Sequence, residues 1–202
     1  MTEFFAPMAS GSLIEGGAGD DFILGLGGDD TILAAAGHDY VNGRAGDDII
    51  SGGDGHDIVI GEDGDDELYG DAGDDILFGA DGNDVISGGA GVDGIDGGVG
   101  NDTLSGGEGQ DHFQFDIGYN SSGADNWGND IITDFDTSED MLYIAVAAGD
   151  ANALTVTDTA GGALVSYDNG GSVSTILLEG VLAAELGIQT DFSDPYSDPY
   201  FF

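Results

Sequence analysis

From Gly16 to Gln114 the chain restates one nine-residue phrase eleven times without a gap, beginning with "GGAGDDFIL" at Gly16–Leu24. The fourth residue of every unit is glycine: Gly19, Gly28, Gly37, Gly46, Gly55, Gly64, Gly73, Gly82, Gly91, Gly100 and Gly109. The sixth is always aspartate: Asp21, Asp30, Asp39, Asp48, Asp57, Asp66, Asp75, Asp84, Asp93, Asp102 and Asp111. The eighth is always apolar: Ile23, Ile32, Val41, Ile50, Val59, Leu68, Leu77, Ile86, Ile95, Leu104 and Phe113. The first is glycine in every unit but one, where Ala34 stands. An acidic, glycine-rich disordered tail would place no demand on the eighth residue, so the repeat specifies structure.

Strand side chains alternate faces. In positions seven to nine only the eighth then points inward, and it alone is uniformly apolar. Glycines at positions one and four permit positive φ and close approach of backbone carbonyls to an ion. The charge is extreme: the formal net charge is −40, with Arg44 the single basic residue. Nucleic acid and anionic membranes need clustered Lys or Arg and are excluded as partners, whereas cations are favoured. Aspartates stacked one rung apart, about 4.8 Å, would repel strongly.

The phrase resembles the RTX (repeats-in-toxin, hemolysin-type) nonapeptide GGxGxDxUx, over residues 16–114. The resemblance implies an all-β fold: a parallel β-roll, or right-handed β-helix, with two nonapeptides per coil. Each nonapeptide would give a six-residue turn and a three-residue strand. It also implies calcium between stacked turns, held by the sixth-position aspartates and by turn carbonyls, including those of the fourth-position glycines. Calcium takes six to eight oxygens, mixed between carboxylate and carbonyl. With no cysteine in the chain, zinc and copper fit poorly. About nine ions fit if each bridges turns two repeats apart. The chain is then expected to be disordered without calcium and folded with it.

The organisation follows. Residues 1–15 read as an N-terminal cap, in which "PMASGSLIE" (Pro7–Glu15) is a worn unit with Ile14 in the aliphatic slot and Ser12 in place of aspartate. Residues 16–114 form the roll. Residues 115–187 read as a β-rich cap closing the roll's other end, with strands at Ala153–Thr157, Ala163–Tyr167 and Ser172–Gly180 and a short helix in "VLAAELG". "GNDIITDFDTSEDMLYI" (Gly128–Ile144) resembles the segment that follows the repeats in RTX proteins, which makes Asp130, Asp134, Asp136 and Asp140 candidate ligands or caps. Residues 188–202 are acidic and aromatic, like the uncleaved C-terminal signal by which RTX proteins leave the cell through a type I secretion apparatus. The N-terminus has no basic n-region, and the apolar run Met141–Ala148 is too short to span a bilayer. A secreted, extracellular or cell-surface protein without membrane insertion is expected.

No catalytic motif is present. His38, His56 and His112 lie outside any HExxH pattern. His38 and His56 hold the same position in units two repeats apart and should stack on adjacent coils. No Gly-x-Ser-x-Gly elbow occurs. With so short a segment ahead of the repeats, Met1–Glu15, the chain reads as a stand-alone protein rather than an enzyme. Its expected role is structural or adhesive; the alternative is a calcium-dependent module of an extracellular protease, lipase or polysaccharide-modifying enzyme. Odd and even units should form opposite sheets. The outward positions of the odd sheet, Asn42 apart, are apolar over four rungs (Phe22, Leu24, Tyr40, Ile58, Ile60, Ile76, Phe78). That face is expected to be covered by the terminal arms "MTEFF" and "DPYFF" or by a second copy in a homo-oligomer.

Overall fold

The computed structural model describes residues 3–5, 11–116, 127–145, 154–168 and 173–186. The tail assigned to secretion lies outside these residues. Strands from odd units, with β1 ahead of them and β15 after them, make one sheet: β1 (Glu3–Phe5), β3 (Phe22–Leu24), β5 (Tyr40–Ala45), β7 (Ile58–Asp63), β9 (Ile76–Asp81), β11 (Gly94–Val99), β13 (His112–Asp116) and β15 (Met141–Ala145). Strands from even units make the other: β2 (Leu13–Ala18), β4 (Thr31–Ala36), β6 (Ile49–Asp54), β8 (Glu67–Ala72), β10 (Val85–Ala90), β12 (Thr103–Glu108) and β14 (Asn129–Ile132). Neighbours within the repeats pair in parallel with partners two units away, as Ile32 with Ile50 and Ile50 with Leu68. One coil is therefore two nonapeptides.

The register stacks identical positions, and this builds the core. All eleven eighth-position side chains, Ile23 to Phe113, are 0–1% exposed and form one apolar core from two columns, one on each sheet. Ile14 pairs with Ile32 and is 8% exposed, so the worn unit is a true rung. Ser12 takes the aspartate place through its backbone, its N–H donating to Asp30 Oδ1 at 2.6 Å.

Three expectations need correction. First, pairing is not confined to three residues per unit. Most repeat strands run six, through positions seven to nine and on to positions one to three of the next unit. Consecutive coils are nearly identical, so turn backbones stack as strands do: after Ser87↔Ser105 the ladder resumes at Gly89↔Gly107. Second, the sheets do not stop at Gln114. β14 pairs with β12 and β15 with β13, adding a rung to each sheet. Third, the N-terminal residues do not lie across the odd face. β1 pairs with β3 in parallel, in the plane of the sheet, and so covers an edge.

The C-terminal region is built differently. β16 (Leu154–Asp158), β17 (Gly162–Asp168) and β18 (Val173–Glu179) are antiparallel, close to the expected strands, and β18 joins the even sheet beside β14. Trp127, Tyr167, Val165, Ile176 and Leu178 bury here, with Phe115 against Trp127 at 5.8 Å. The expected short helix is a 3₁₀ turn at Ala183–Glu185. Among the described residues no helix is long and apolar enough to cross a membrane.

Candidate metal centre

Each sixth-position aspartate lies just before its strand, in the turn. Apart from Asp21 at 6% and Asp39 at 3%, these side chains are at most 1% exposed. Their two oxygens have different surroundings. Oδ1 accepts the backbone N–H of the aspartate one coil earlier, as from Asp30 to Asp48 at 2.7 Å and from Asp84 to Asp102 at 2.9 Å. Two ladders result, one along each edge of the roll. One passes through Asp21, Asp39, Asp57, Asp75, Asp93 and Asp111. The other passes through Asp30, Asp48, Asp66, Asp84 and Asp102.

Oδ2 has no hydrogen-bond donor in Asp30, Asp39, Asp48, Asp57, Asp66, Asp75, Asp84, Asp93, Asp102 and Asp111. A buried carboxylate oxygen without a partner is costly, and a row of them is a demand for positive charge. Beside nine of these the space is kept open by the first glycine of the same unit; Asp39, whose unit begins with Ala34, is the exception. A Cβ built on Gly70 would stand 2.6 Å from Asp75 Oδ2 and 2.5 Å from the carbonyl oxygen of Gly88 in the next coil. At Gly52 the same two neighbours, Asp57 Oδ2 and the Gly70 carbonyl, lie at 2.6 and 3.1 Å. The first glycine is thus selected for space, not for left-handed backbone. Positive φ falls instead at the fourth position, as in Gly64 (139°) and Gly73 (140°), and at the second, where Leu26, Ala35, Arg44, Glu62, Asp71 and Ala80 adopt it without being glycine.

The fourth-position glycines stack on one another. Gly46 N–H donates to the Asp63 carbonyl and Gly64 N–H to the Asp81 carbonyl, both at 2.9 Å. A Cβ on Gly55 would collide with the Gly37 carbonyl oxygen. Among the described residues, the carbonyls of Gly37, Gly55 and Gly73 receive no backbone donor. Each edge therefore offers one bare carboxylate oxygen per coil together with backbone carbonyls. No three acidic or histidine side chains converge among the described residues, so a cation here draws most of its ligands from the backbone. An all-oxygen set of this kind suits calcium, which would supply the missing counter-charge to the Oδ2 row.

The titration behaviour agrees. Burial pushes Asp66, Asp75, Asp84, Asp93 and Asp102 up to about 7, partly offset by the N–H bond to Oδ1. Asp48 and Asp111 rise to about 6 for the same reason. Without a cation these groups compete for protons near neutrality.

Beyond the repeats, Asp130 and Asp140 occupy the next ladder steps, accepting from Asp102 N–H at 2.9 Å and Asp111 N–H at 3.0 Å. Asp130 Oδ2 is bare and burial pushes the group to about 9. Asp140 is closed off, its Oδ2 taking the Asp136 N–H at 2.8 Å. Asp134 is a cap: it accepts from Gly106 N–H, Gly107 N–H and Ser105 Oγ. Asp136 is exposed and bonds Ser138.

Position five carries a second ladder that sequence reasoning did not anticipate as a whole. Its side chains accept from the following coil, the reverse of position six: Asp65 N–H to Asp47 Oδ1, Asn101 N–H to Asn83 Oδ1. His38 and His56 belong to it and stack at 5.0 Å, as their spacing suggested. Their Nδ1 atoms accept the N–H groups of His56 and Asp74. His112 lies off this ladder, buried and stacked on Tyr143 at 5.9 Å. The signal for position five was present, since most of its residues are Asp, Asn or His.

The family model for the RTX calcium-binding nonapeptide repeat matches the chain in overlapping copies at residues 12–41, 33–68, 51–86, 60–95, 78–113 and 87–121. The chain belongs to the RTX calcium-binding nonapeptide repeat family. Among solved structures, this RTX chain is similar to the AlgE6R2 subunit of the mannuronan C5-epimerase of Azotobacter vinelandii. They share 28% identity over 68% of this chain and 94% of that one, with a TM-score of 0.46. The AlgE6R3 subunit is 27% identical over 72% and 85%, with a TM-score of 0.30. The extracellular lipase LipA of Serratia marcescens is 20% identical over 91% of this chain, with a TM-score of 0.43, and the RTX chain spans 38% of its length. No curated relative matches the chain.

Proposed function

We propose that this RTX chain is a secreted β-roll that folds on binding calcium outside the cell and serves there as a structural or adhesive element, without catalysis. The observation that carries this reading is the row of buried Oδ2 atoms without donors, all but that of Asp39 beside a space that a first glycine keeps open. Such a row is unfavourable in the metal-free chain and favourable once divalent ions sit along it, so binding and folding are one event. About nine ions, one per pair of stacked turns, offset much of the roll's negative charge. Low calcium inside the cell would keep the chain open for a type I secretion apparatus, and high calcium outside would close it.

Calcium titration of the purified chain, followed by far-UV circular dichroism with magnesium as control, tests this. A cooperative gain of β signal with calcium and none with magnesium is expected. Asp84→Asn should raise the calcium midpoint about tenfold, since it removes a charge-assisted bond and a ligand. Full β signal in chelator would overturn the proposal.

A further inference from the structure

The structure leaves one side of the roll without a purpose in calcium binding. The outward side chains of β3, β5, β7 and β9 form two columns along the roll axis. Phe22, Leu24, Tyr40, Ile60 and Ile76 are half-buried and Ile58 is 37% exposed. Phe22 and Tyr40 stack at 5.0 Å. The even sheet differs: Ile49 and Val85 are more exposed, but Glu67 stands between them and serines follow on the same strands. The odd-face stripe is broken only at Asn42, which is buried and donates to Glu62 at 2.6 Å, whereas β4, β6, β8 and β10 of the even face each carry an outward Thr, Ser or Glu.

Its margins are acidic on balance: exposed Asp20 and Asp74 flank exposed His38 and His56 ahead of the strands, and exposed Asp63 and Asp81 follow the strands on the other side beside exposed Arg44. A second copy would set these carboxylates against their own kind, in a chain of net charge −40 with one basic residue. The complementary partner is apolar at its centre and basic at its sides. Four rungs span about 14 Å at about 4.8 Å per rung, which is roughly three helical turns at about 5.4 Å pitch. The near match lets successive turns of a helix meet successive rungs.

We propose that the odd-sheet face docks a basic amphipathic helix of another protein, lying along the roll axis with its apolar stripe between the two columns and its Lys or Arg residues over the acidic margins. The proposal rests on the calcium-loaded roll being the folded state, so circular dichroism in calcium accompanies each binding measurement.

The probe is a fluorescein-labelled three-turn helical peptide with leucines on one face and lysines on its flanks, read by anisotropy against the calcium-loaded full chain. Saturable binding is expected. Ile58→Asn with Ile60→Asn should weaken it about tenfold or more, as burial of such side chains implies. Ile49→Asn with Val85→Asn on the even face should leave it unchanged, and a peptide with glutamates for lysines should not bind. Equal binding by both double variants would show charge attraction without a site and overturn the proposal. So would a concentration-dependent dimer by light scattering that Ile58→Asn with Ile60→Asn abolishes, because a second copy would then be the occupant. Loss of β signal calls for Ile60→Thr in place of the odd-face pair and Val85→Thr in place of the even-face pair, with the same two outcomes decisive.

Discussion

The roll and its C-terminal cap solve the same problem with different materials. In the roll one apolar side chain in nine faces inward, and the aspartates beside it leave an oxygen bare at every step. In the cap, β17 and β18 alternate buried and half-buried residues, aromatic groups fill the interior, and Asp140 has donors to both oxygens. The cap has a core of the ordinary kind; the roll has too thin a core and an uncompensated charge. The contrast assigns the need for an ion to the roll and its continuation at Asp130, and not to the hairpins of β16, β17 and β18.

Withdrawal of calcium should have the largest effect. Far-UV β signal from the roll should collapse, whereas Trp127, the only tryptophan, buried between Phe115 and Tyr167, reports the cap. Because β18 pairs with β14, the cap leans on the last even rung. Its emission is expected to shift at a lower calcium concentration than the β signal does. Coincident transitions would erase the distinction and make roll and cap one cooperative unit.

A single methyl group should separate the regions next. Gly70→Ala puts a Cβ onto Asp75 Oδ2 and the Gly88 carbonyl, whereas the nearest atom to a Cβ on Gly161 in the β16–β17 turn is 3.8 Å away. Gly70→Ala should cost about 1–3 kcal/mol and weaken calcium binding. Gly161→Ala should be near neutral in the same calcium-loaded melts.

Acidity should act on the roll with opposite sign in its two states. Burial raises Asp66, Asp75, Asp84, Asp93 and Asp102 to about 7 in the metal-free fold, above the ordinary 3.8. A raised folded value means stability that is present below pH 4 and lost as pH rises toward 7. Metal-free chain should therefore hold more β signal at pH 4 than at pH 7.5. With calcium the carboxylates are charged, and acid should weaken the fold. Circular dichroism with and without chelator across this range checks both signs.

The smallest expected effect is at the second position. Ala80 holds φ at 83°. Ala80→Gly relieves that backbone and should stabilise the roll by at most about 0.5–1 kcal/mol, visible as a small rise in Tm.

Much of this was legible in the residues. Period nine, with an invariant aliphatic, placed the eighth-position residues from Ile23 to Phe113 inside and set odd against even units, because side-chain direction is a local property of the strand. The same clock lined up the aspartates, and Ile14 was recognisable as an outlying rung. The added rungs at β14 and β15 were harder to see. Leu104 pairs with Ile132 and Phe113 with Leu142, and both steps are longer than the two-unit step that joins every pair within the repeats.

The repeat's local geometry needs nothing beyond the residues: which one faces in, which turns, and that a cation-seeking acid recurs at every turn. Coil stacking settles the rest. It fixes which carboxylate oxygen is bound and which is bare, makes the first glycine a spacer while the second position bends, and sets β1 against an edge and not a face. A nine-residue phrase encodes its own conformation, but the atoms it meets belong to a phrase one full coil away.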